Sequence, residues 1–78
     1  MRAAKFREML HLVPFRPFYV RTTDGDTFQV DHPDFAMIDR ENREVAIFDE
    51  ENHFRLVDMN HIVSLEPKRN GAKKPGRR

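Results

Sequence analysis

The stretch FYVRTTDGDTFQV, residues 18–30, decides the fold because it holds two short apolar alternations around the turn dipeptide Asp24-Gly25. A two-residue loop at this dipeptide would separate the large apolar side chains onto opposite faces of the hairpin. A three-residue loop, residues 23–25 with Gly25 in the left-handed conformation, gathers them on one face. The sequence therefore predicts the pairs Val20 with Phe28 and Phe18 with Val30.

Two further turns extend this hairpin into a meander. In FAMIDRENREVAIF, residues 35–48, a loop of residues 40–42 with Asn42 in place of a left-handed glycine aligns the apolar side chains. The turn DEEN, residues 49–52, aligns the next strand with either a two- or a four-residue loop. The predicted pairs are Met37 with Val45, Phe35 with Ile47, Ile47 with Phe54 and Val45 with Leu56.

One helix and one further strand flank the meander. Apolar residues recur at helical spacing over residues 2 to about 12, before Pro14. Residues 61–66, HIVSLE, follow a short link and indicate a fifth strand. Closing a strongly bent sheet removes exposed strand edges. The predicted fold is mainly β: an N-terminal α-helix followed by a strongly bent five-stranded antiparallel sheet that forms a small barrel.

Basic residues are concentrated at one end of the chain. The formal net charge is +1, yet residues 1–66 hold eight basic and thirteen acidic residues, and residues 67–78 hold six basic residues and no acid. We expect a single domain over 1–66 and a flexible tail over 67–78, because the tail has no large apolar residue to bury. Such a tail either attracts phosphate through counterion release or only adds solubility. Its basic residues are Lys68, Arg69, Lys73, Lys74, Arg77 and Arg78.

The polar residues give no sign of a reaction. The four histidines lack the paired spacing of a metal site, and Ser64, the only serine, has no glycine-rich turn around it. The acids beside His32 are explained by a turn at Pro33, and the DGD segment lacks the further oxygen ligands of a calcium loop. We predict no enzyme activity, no metal site, no cofactor and no small-molecule substrate.

The composition also bounds the compartment. The chain has no Cys, which is compatible with a reducing environment. The segment MRAAKFREML, residues 1–10, lacks the continuous apolar run of a signal peptide, and no segment approaches the ~20 apolar residues of a membrane span. We expect a cytoplasmic protein without membrane contact.

Some apolar residues are left over on the face that the predicted registers place opposite the core. Ala36, Ile38, Ala46 and Phe48 lie there, and the last strand has apolar residues on both faces. Such a surface is typical of an interface between subunits, or it packs under the N-terminal helix. The predicted interface residues are Ile38, Phe48, Val63 and Leu65.

The order of a helix, a bent antiparallel sheet, DG in the first hairpin and a short link into a last strand resembles the Sm-like fold. NHIVSLEP, residues 60–67, is similar to the final strand of the Hfq family of bacterial Sm-like RNA chaperones, where lysine and histidine precede an apolar strand that ends at proline. The resemblance implies that Asn60, which replaces the lysine, and His61 line a pore that contacts uridine-rich RNA. The segments PFRPF, DG and HPDF also resemble small uncharacterised bacterial proteins, which implies a fold but no activity.

Two hypotheses follow for the function. The first is a homo-oligomeric Sm-like protein that binds single-stranded RNA through its basic tail, with Tyr19 and His61 as candidates for stacking on bases. The second is a small barrel that serves as a protein-interaction module, with Ile38 and Phe48 in its contact surface and an incidental tail.

Overall fold

A computed structural model describes residues 1–51 and 53–68 of the chain. The tail residues Arg69, Lys73, Lys74, Arg77 and Arg78 lie outside the described residues, so their predicted role in binding RNA stays a prediction. The helix α1 spans Ala3–Leu10, shorter than the predicted range of 2 to about 12. The six strands are β1 (Phe18–Thr22), β2 (Thr27–Val30), β3 (Ala36–Ile38), β4 (Glu44–Phe48), β5 (Phe54–Asp58) and β6 (Ile62–Pro67).

The strands form two antiparallel sheets of three strands each, which we name the first sheet, in the order β2-β1-β6, and the second sheet, in the order β3-β4-β5. Short 3-10 helices over Pro33–Phe35 and Met59–His61 connect the two sheets. The mainly β class with an N-terminal helix is confirmed. The prediction of five strands in one bent sheet that closes into a barrel is wrong for the part of the chain that the structure describes. The turn predicted at Pro33 is the first 3-10 helix, so the sheet is interrupted there rather than bent.

The first hairpin has the predicted register. Val20 pairs with Phe28 and Phe18 with Val30. Gly25 has a φ of 91°, and its backbone N–H donates to the carbonyl oxygen of Thr22. The left-handed glycine therefore sets this register, as the turn chemistry predicts.

The two registers predicted for the second sheet are wrong by one residue. Ile38, not Met37, pairs with Val45, and Val57, not Leu56, pairs with Val45 from the other side. Because side chains alternate along a strand, a slip of one residue moves every side chain of β3 and β5 to the other face. Ala36 and Val57 are buried as a result, whereas Met37, Phe54 and Leu56 are exposed.

Aspartate side chains explain the slip. Asn42 is left-handed as predicted, with a φ of 63°, but Asp39 Oδ1 accepts hydrogen bonds from the backbone N–H groups of Arg43 and Glu44. The loop therefore includes Arg43 as a fourth residue. Asp49 Oδ1 likewise accepts from the backbone N–H groups of Glu51 and His53 at the next turn. A carboxylate that binds nearby backbone becomes part of the turn and changes its length.

A β-bulge in β6 resolves the two-sided apolar pattern of the last strand. Arg21 pairs with Ser64, but Thr22 pairs with Ile62, so Val63 is the extra residue. The bulge lets both Ile62 and Leu65 pack toward the core, while Val63 is 59% exposed.

The core lies between the two sheets and α1. Phe6 of the helix meets Phe18 of β1 edge to face, with ring centroids 5.7 Å apart. Both rings are fully buried, as are Val20, Val30 and Val45. This single cluster fastens the helix to both sheets, because so short a helix is not stable alone. Within residues 1–51 and 53–68, the outer side of the second sheet has no such cover.

Candidate interaction surface

The side of the second sheet that faces away from the core is apolar, and we call it the outer face. Strand pairing brings its members together: Ala46 pairs with Met37 on one side and Leu56 on the other, and Phe48 pairs with Phe54. Met37 is 66% exposed, Phe54 57% and Leu56 60%. Scattered exposed apolar side chains are ordinary, but a contiguous group on adjacent strands marks an interaction surface. The outer face therefore consists of Met37, Ala46, Phe48, Phe54 and Leu56.

A groove runs between the two sheets at one border of the outer face, and we call it the inter-sheet groove. It has a volume of about 260 Å³. Phe48 and Phe54 stack at its border with a centroid distance of 5.3 Å, and Phe28 contributes from β2. The groove is lined by Phe28, Gln29, Ile47, Phe48, Asp49, His53, Phe54 and Arg55.

Arg55 joins the two sheets across this groove. Its guanidinium carbon lies 5.2 Å from the centroid of the Phe28 ring, and its Nη2 lies 3.4 Å from Asp26 Oδ2. An exposed cation over an aromatic face contributes about 0.5–1 kcal/mol of stabilisation, so this contact holds the two sheets together only weakly. This contact occupies the guanidinium of Arg55, which lines the groove.

A second cavity, which we call the acidic recess, adjoins the groove and shares Gln29 and Asp49 with it. Its volume is about 290 Å³. The charged residues that line it in the described part of the chain are all acids, and Phe35 completes its wall. Backbone N–H groups of His53 and Glu51 donate to Asp49 and hold the pKa of its carboxyl below the ordinary value, so this charge persists in mild acid. The acids are Asp31, Asp49, Glu50 and Glu51.

Asp49, Glu51 and His53 stand close together at this turn. One ligand atom from each lies within 4.8 Å of the others, and all three side chains are exposed. Sequence spacing alone did not indicate this group, because the turn rather than a helix brings the residues together. The hydrogen bonds that form the turn account for the arrangement.

The residues predicted for RNA contact are dispersed. Asn60 and His61 are exposed in the second 3-10 helix, where the Asp58 side chain accepts a hydrogen bond from the backbone N–H of Asn60. Tyr19 is only 3% exposed, so its ring presents no free face for a base. Lys68 lies beside Asp31, with Nζ 3.4 Å from Oδ1.

Carboxylates surround His61. It lines a small cavity of about 100 Å³ together with Asp24, Asp26, Asp58 and Arg55. A hydrogen bond from the Thr22 hydroxyl is the main reason why the pKa of Asp24 lies below its ordinary value. Negative charge at this position disfavours phosphate near His61.

The four predicted interface residues divide between the two sides of the sheets. Ile38 and Leu65 pack against the core, so the prediction that Ile38 lies opposite the core is wrong. Phe48 lies on the outer face, as predicted, and stacks on Phe54. Val63 is exposed on the first sheet, away from the others. The residues that the sequence reasoning missed are Met37, Phe54 and Leu56, because the predicted registers placed them in the core.

Comparisons with known proteins place the chain in no family. Protein-family models, curated proteins and solved structures give no match. Among the residues that the structure describes, α1 and the two 3-10 helices are all too short and too polar to cross a bilayer.

Proposed function

We propose that this protein is a non-enzymatic interaction module that self-associates through the outer face. The observation that carries the proposal is the exposure of Met37 on β3 and of Phe54 and Leu56 on β5, on either side of the half-buried Phe48 of β4. Covering these side chains removes apolar area from water, which stabilises the complex by about 25 cal/mol per Å² of apolar area buried.

A second copy is the partner that fits this face best. All five of its side chains are uncharged, and the paired acids Glu44 and Asp58 lie on the same side of the sheet only at one end. The centre of the face therefore offers no charge pattern by which a charged partner could be selected. A two-fold axis places the same patch on both sides of the contact, and an apolar patch is complementary to itself. Two such sheets pack face to face at a separation of about 10 Å.

The size of the face limits the strength of this association. A five-residue strand is about 17 Å long and three strands are about 14 Å wide, which gives a footprint of roughly 240 Å². Stable complexes bury about 800 Å² per partner, so the outer face supports a weak dimer with a dissociation constant in the micromolar to millimolar range.

Native mass measured by light scattering over a range of concentrations tests the proposal. The full chain is expected to change from monomer to dimer as its concentration rises. Leu56→Glu should keep it monomeric, because a carboxylate at the centre of the contact loses its water. Val63→Glu is the matched control, because Val63 is 59% exposed and Leu56 60%, but Val63 lies on the first sheet.

Three outcomes would oppose this proposal. A strictly monomeric chain at millimolar concentration would remove self-association, and disruption by Val63→Glu alone would move the interface to the last strand. A hexamer or heptamer would favour ring closure of the Sm-like kind over a face-to-face dimer.

RNA binding by an Sm-like homo-oligomer is the second candidate, and the sequence of the basic tail favours it. The six basic residues of 67–78 would release counterions from phosphate, so retention of uridine-rich or adenine-rich oligonucleotides should fall steeply with salt. His61→Ala should weaken retention further if the resemblance to the chaperone family extends to its pore. The acidic surroundings of His61 oppose this second effect. No retention of either oligonucleotide at low salt would refute RNA binding.

A further inference from the structure

We infer that the C-terminal segment, residues 69–78, docks in cis on the acidic recess and extends into the inter-sheet groove. The segment reads RNGAKKPGRR and has five basic residues and no acid. The inference concerns the chain's own tail as a ligand and does not depend on self-association.

Lys68, the last of the described residues, lies at the edge of the acidic recess. The backbone N–H of Lys68 donates to the carbonyl oxygen of Pro17 at 2.8 Å, which fixes the end of β6. The ammonium of Lys68 lies 3.4 Å from Asp31 Oδ1, and Asp31 lines the acidic recess. The segment therefore starts at the edge of the recess, with its preceding residue already in contact with one of the acids.

Charge complementarity is the second argument. Among the described residues, four acids and no base line the recess, and five bases follow Lys68 in the sequence. Asp31 already accepts hydrogen bonds from Gln29 and Lys68, and Asp49 accepts two from backbone. Glu51 Oε1 lies 3.7 Å from His53 Nδ1, so Glu50 and the second oxygen of Glu51 are the groups left to meet the tail. Both residues are exposed at the turn.

The inter-sheet groove provides the apolar part of the contact. Pro75 and Ala72 are the apolar residues of the segment, and the stacked rings of Phe48 and Phe54 border the groove that continues from the recess. Lysine and arginine stems also cover aromatic surfaces while their charges stay in water. Ten extended residues span roughly 33 Å, ample for a cavity that begins at their point of attachment.

Tethering makes weak contacts sufficient. Exposed ion pairs are individually weak, but a short covalent tether gives an effective concentration of about a millimolar. Docking is therefore expected to be partial and to depend strongly on salt. It would also cover Phe48 and Phe54, so the docked tail would compete with a second copy for the outer face.

A spin label on the tail tests the inference in the full chain. The sequence has no Cys, so Ala72→Cys carries a single nitroxide. The label should broaden the amide resonances of Gln29, Glu50 and Glu51 selectively. The amides of Glu41 and Glu44 are the internal control, because β4 separates them from the recess by about 17 Å.

Salt and charge reversal supply the controls. Broadening should be strong near 0.01 M salt and lost near 1 M, where the screening length falls from about 30 Å to about 3 Å. The double variant Glu50→Lys with Glu51→Lys should abolish it, and Glu41→Lys with Glu44→Lys should leave it intact. Broadening that survives the first double variant, or that is equal at both ends of β4, would overturn the inference.

A mixed sample separates docking in cis from docking on a neighbour. Labelled chains without ¹⁵N are mixed with ¹⁵N chains without a label, at a concentration where native mass shows a monomer. Docking in cis predicts no broadening in this mixture, and broadening there would overturn it. Failure of docking would leave the Leu56→Glu result unchanged, so the two proposals fail separately.

Discussion

The neighbouring residues Leu56 and Val57 of β5 test the register on which the outer face depends. Leu56 is 60% exposed and Val57 is 8% exposed, so truncation of the smaller side chain should do more damage. The register predicted from the turn sequence has the opposite consequence, because it places Leu56 opposite Val45 in the core. The variants Leu56→Ala and Val57→Ala therefore give opposite orders under the two registers.

The burial of the two side chains sets the magnitudes. Val57→Ala removes two buried carbons at about 0.8 kcal/mol each and leaves a small cavity, for a loss of about 2 kcal/mol. Leu56→Ala removes three carbons of which water already covers more than half, for a loss of about 1 kcal/mol or less. In the slipped register, Leu56→Ala would cost about 2–5 kcal/mol.

Urea unfolding followed by circular dichroism measures both losses. Dilute samples keep self-association from adding to the apparent stability, and an unchanged m-value shows that the midpoint shift reports stability. The melting temperature should fall by about 8–16 °C for Val57→Ala and by about 8 °C or less for Leu56→Ala, at roughly 4–8 °C per kcal/mol. A larger loss for Leu56→Ala than for Val57→Ala would refute the register.

Three further predictions concern the turns and the groove. Gly25→Ala should lower the free energy of unfolding by about 1–2 kcal/mol from backbone strain alone, since a Cβ there meets no atom within 4 Å; urea unfolding measures this, and an unchanged midpoint would mean that φ is not left-handed. The backbone N–H of Glu44 is the main donor to Asp39, and that of His53 is the main donor to Asp49. These hydrogen bonds hold the pKa of each carboxyl below its ordinary 3.8. The two carboxylates therefore stabilise the fold above about pH 4, and this stabilisation is lost as the pH falls below it. The double variant Asp39→Asn with Asp49→Asn should therefore show a weaker dependence of the urea midpoint on pH between about pH 2 and 5. An unaltered pH dependence would contradict this. Arg55→Ala should cost about 0.5–1 kcal/mol by loss of the contacts with Phe28 and Asp26, whereas Arg55→Lys should recover part of it; equal losses for the two variants would speak against a cation over the ring.

The first hairpin could be predicted because its register depends on local chemistry. Gly25 tolerates a positive φ, and the resulting three-residue loop aligns all four apolar partners. Asn42 was predicted to be left-handed for a related reason, and it is. The helix was predictable in position, although it ends at Leu10 rather than near residue 12.

The second sheet could not be predicted from the same rules, because Asp39 and Asp49 use their side chains as turn acceptors. The strands of this sheet carry apolar residues on both faces, so either register buries a plausible set of side chains. The hydrophobic pattern therefore does not distinguish the two registers. The bulge at Val63 likewise depends on pairing with β1, which is distant in sequence.

The candidate surface was predicted only at Ala46 and Phe48 of β4. The packing of the two sheets brings Arg55 of β5 beside Phe28 and Asp26. This contact joins residues distant in sequence, so no local sequence pattern predicts it. The predictions for Asn60 and His61 came from a resemblance in eight residues. Both positions are exposed, and His61 shares a small cavity with Asp24, Asp26 and Asp58.

Cross-strand NOEs between β4 and β5 test the central claim most directly, because they report the register without any substitution. Backbone hydrogen bonds join Asp49 to His53 and Met59 to Arg43, so the alternate pairs between them are the close, non-hydrogen-bonded ones, with Cα atoms about 4.5 Å apart. The structure predicts strong Hα–Hα cross-peaks for Ala46 with Leu56 and for Phe48 with Phe54. Strong cross-peaks for Val45 with Leu56 or for Ile47 with Phe54 would contradict it and return Leu56 and Phe54 to the core.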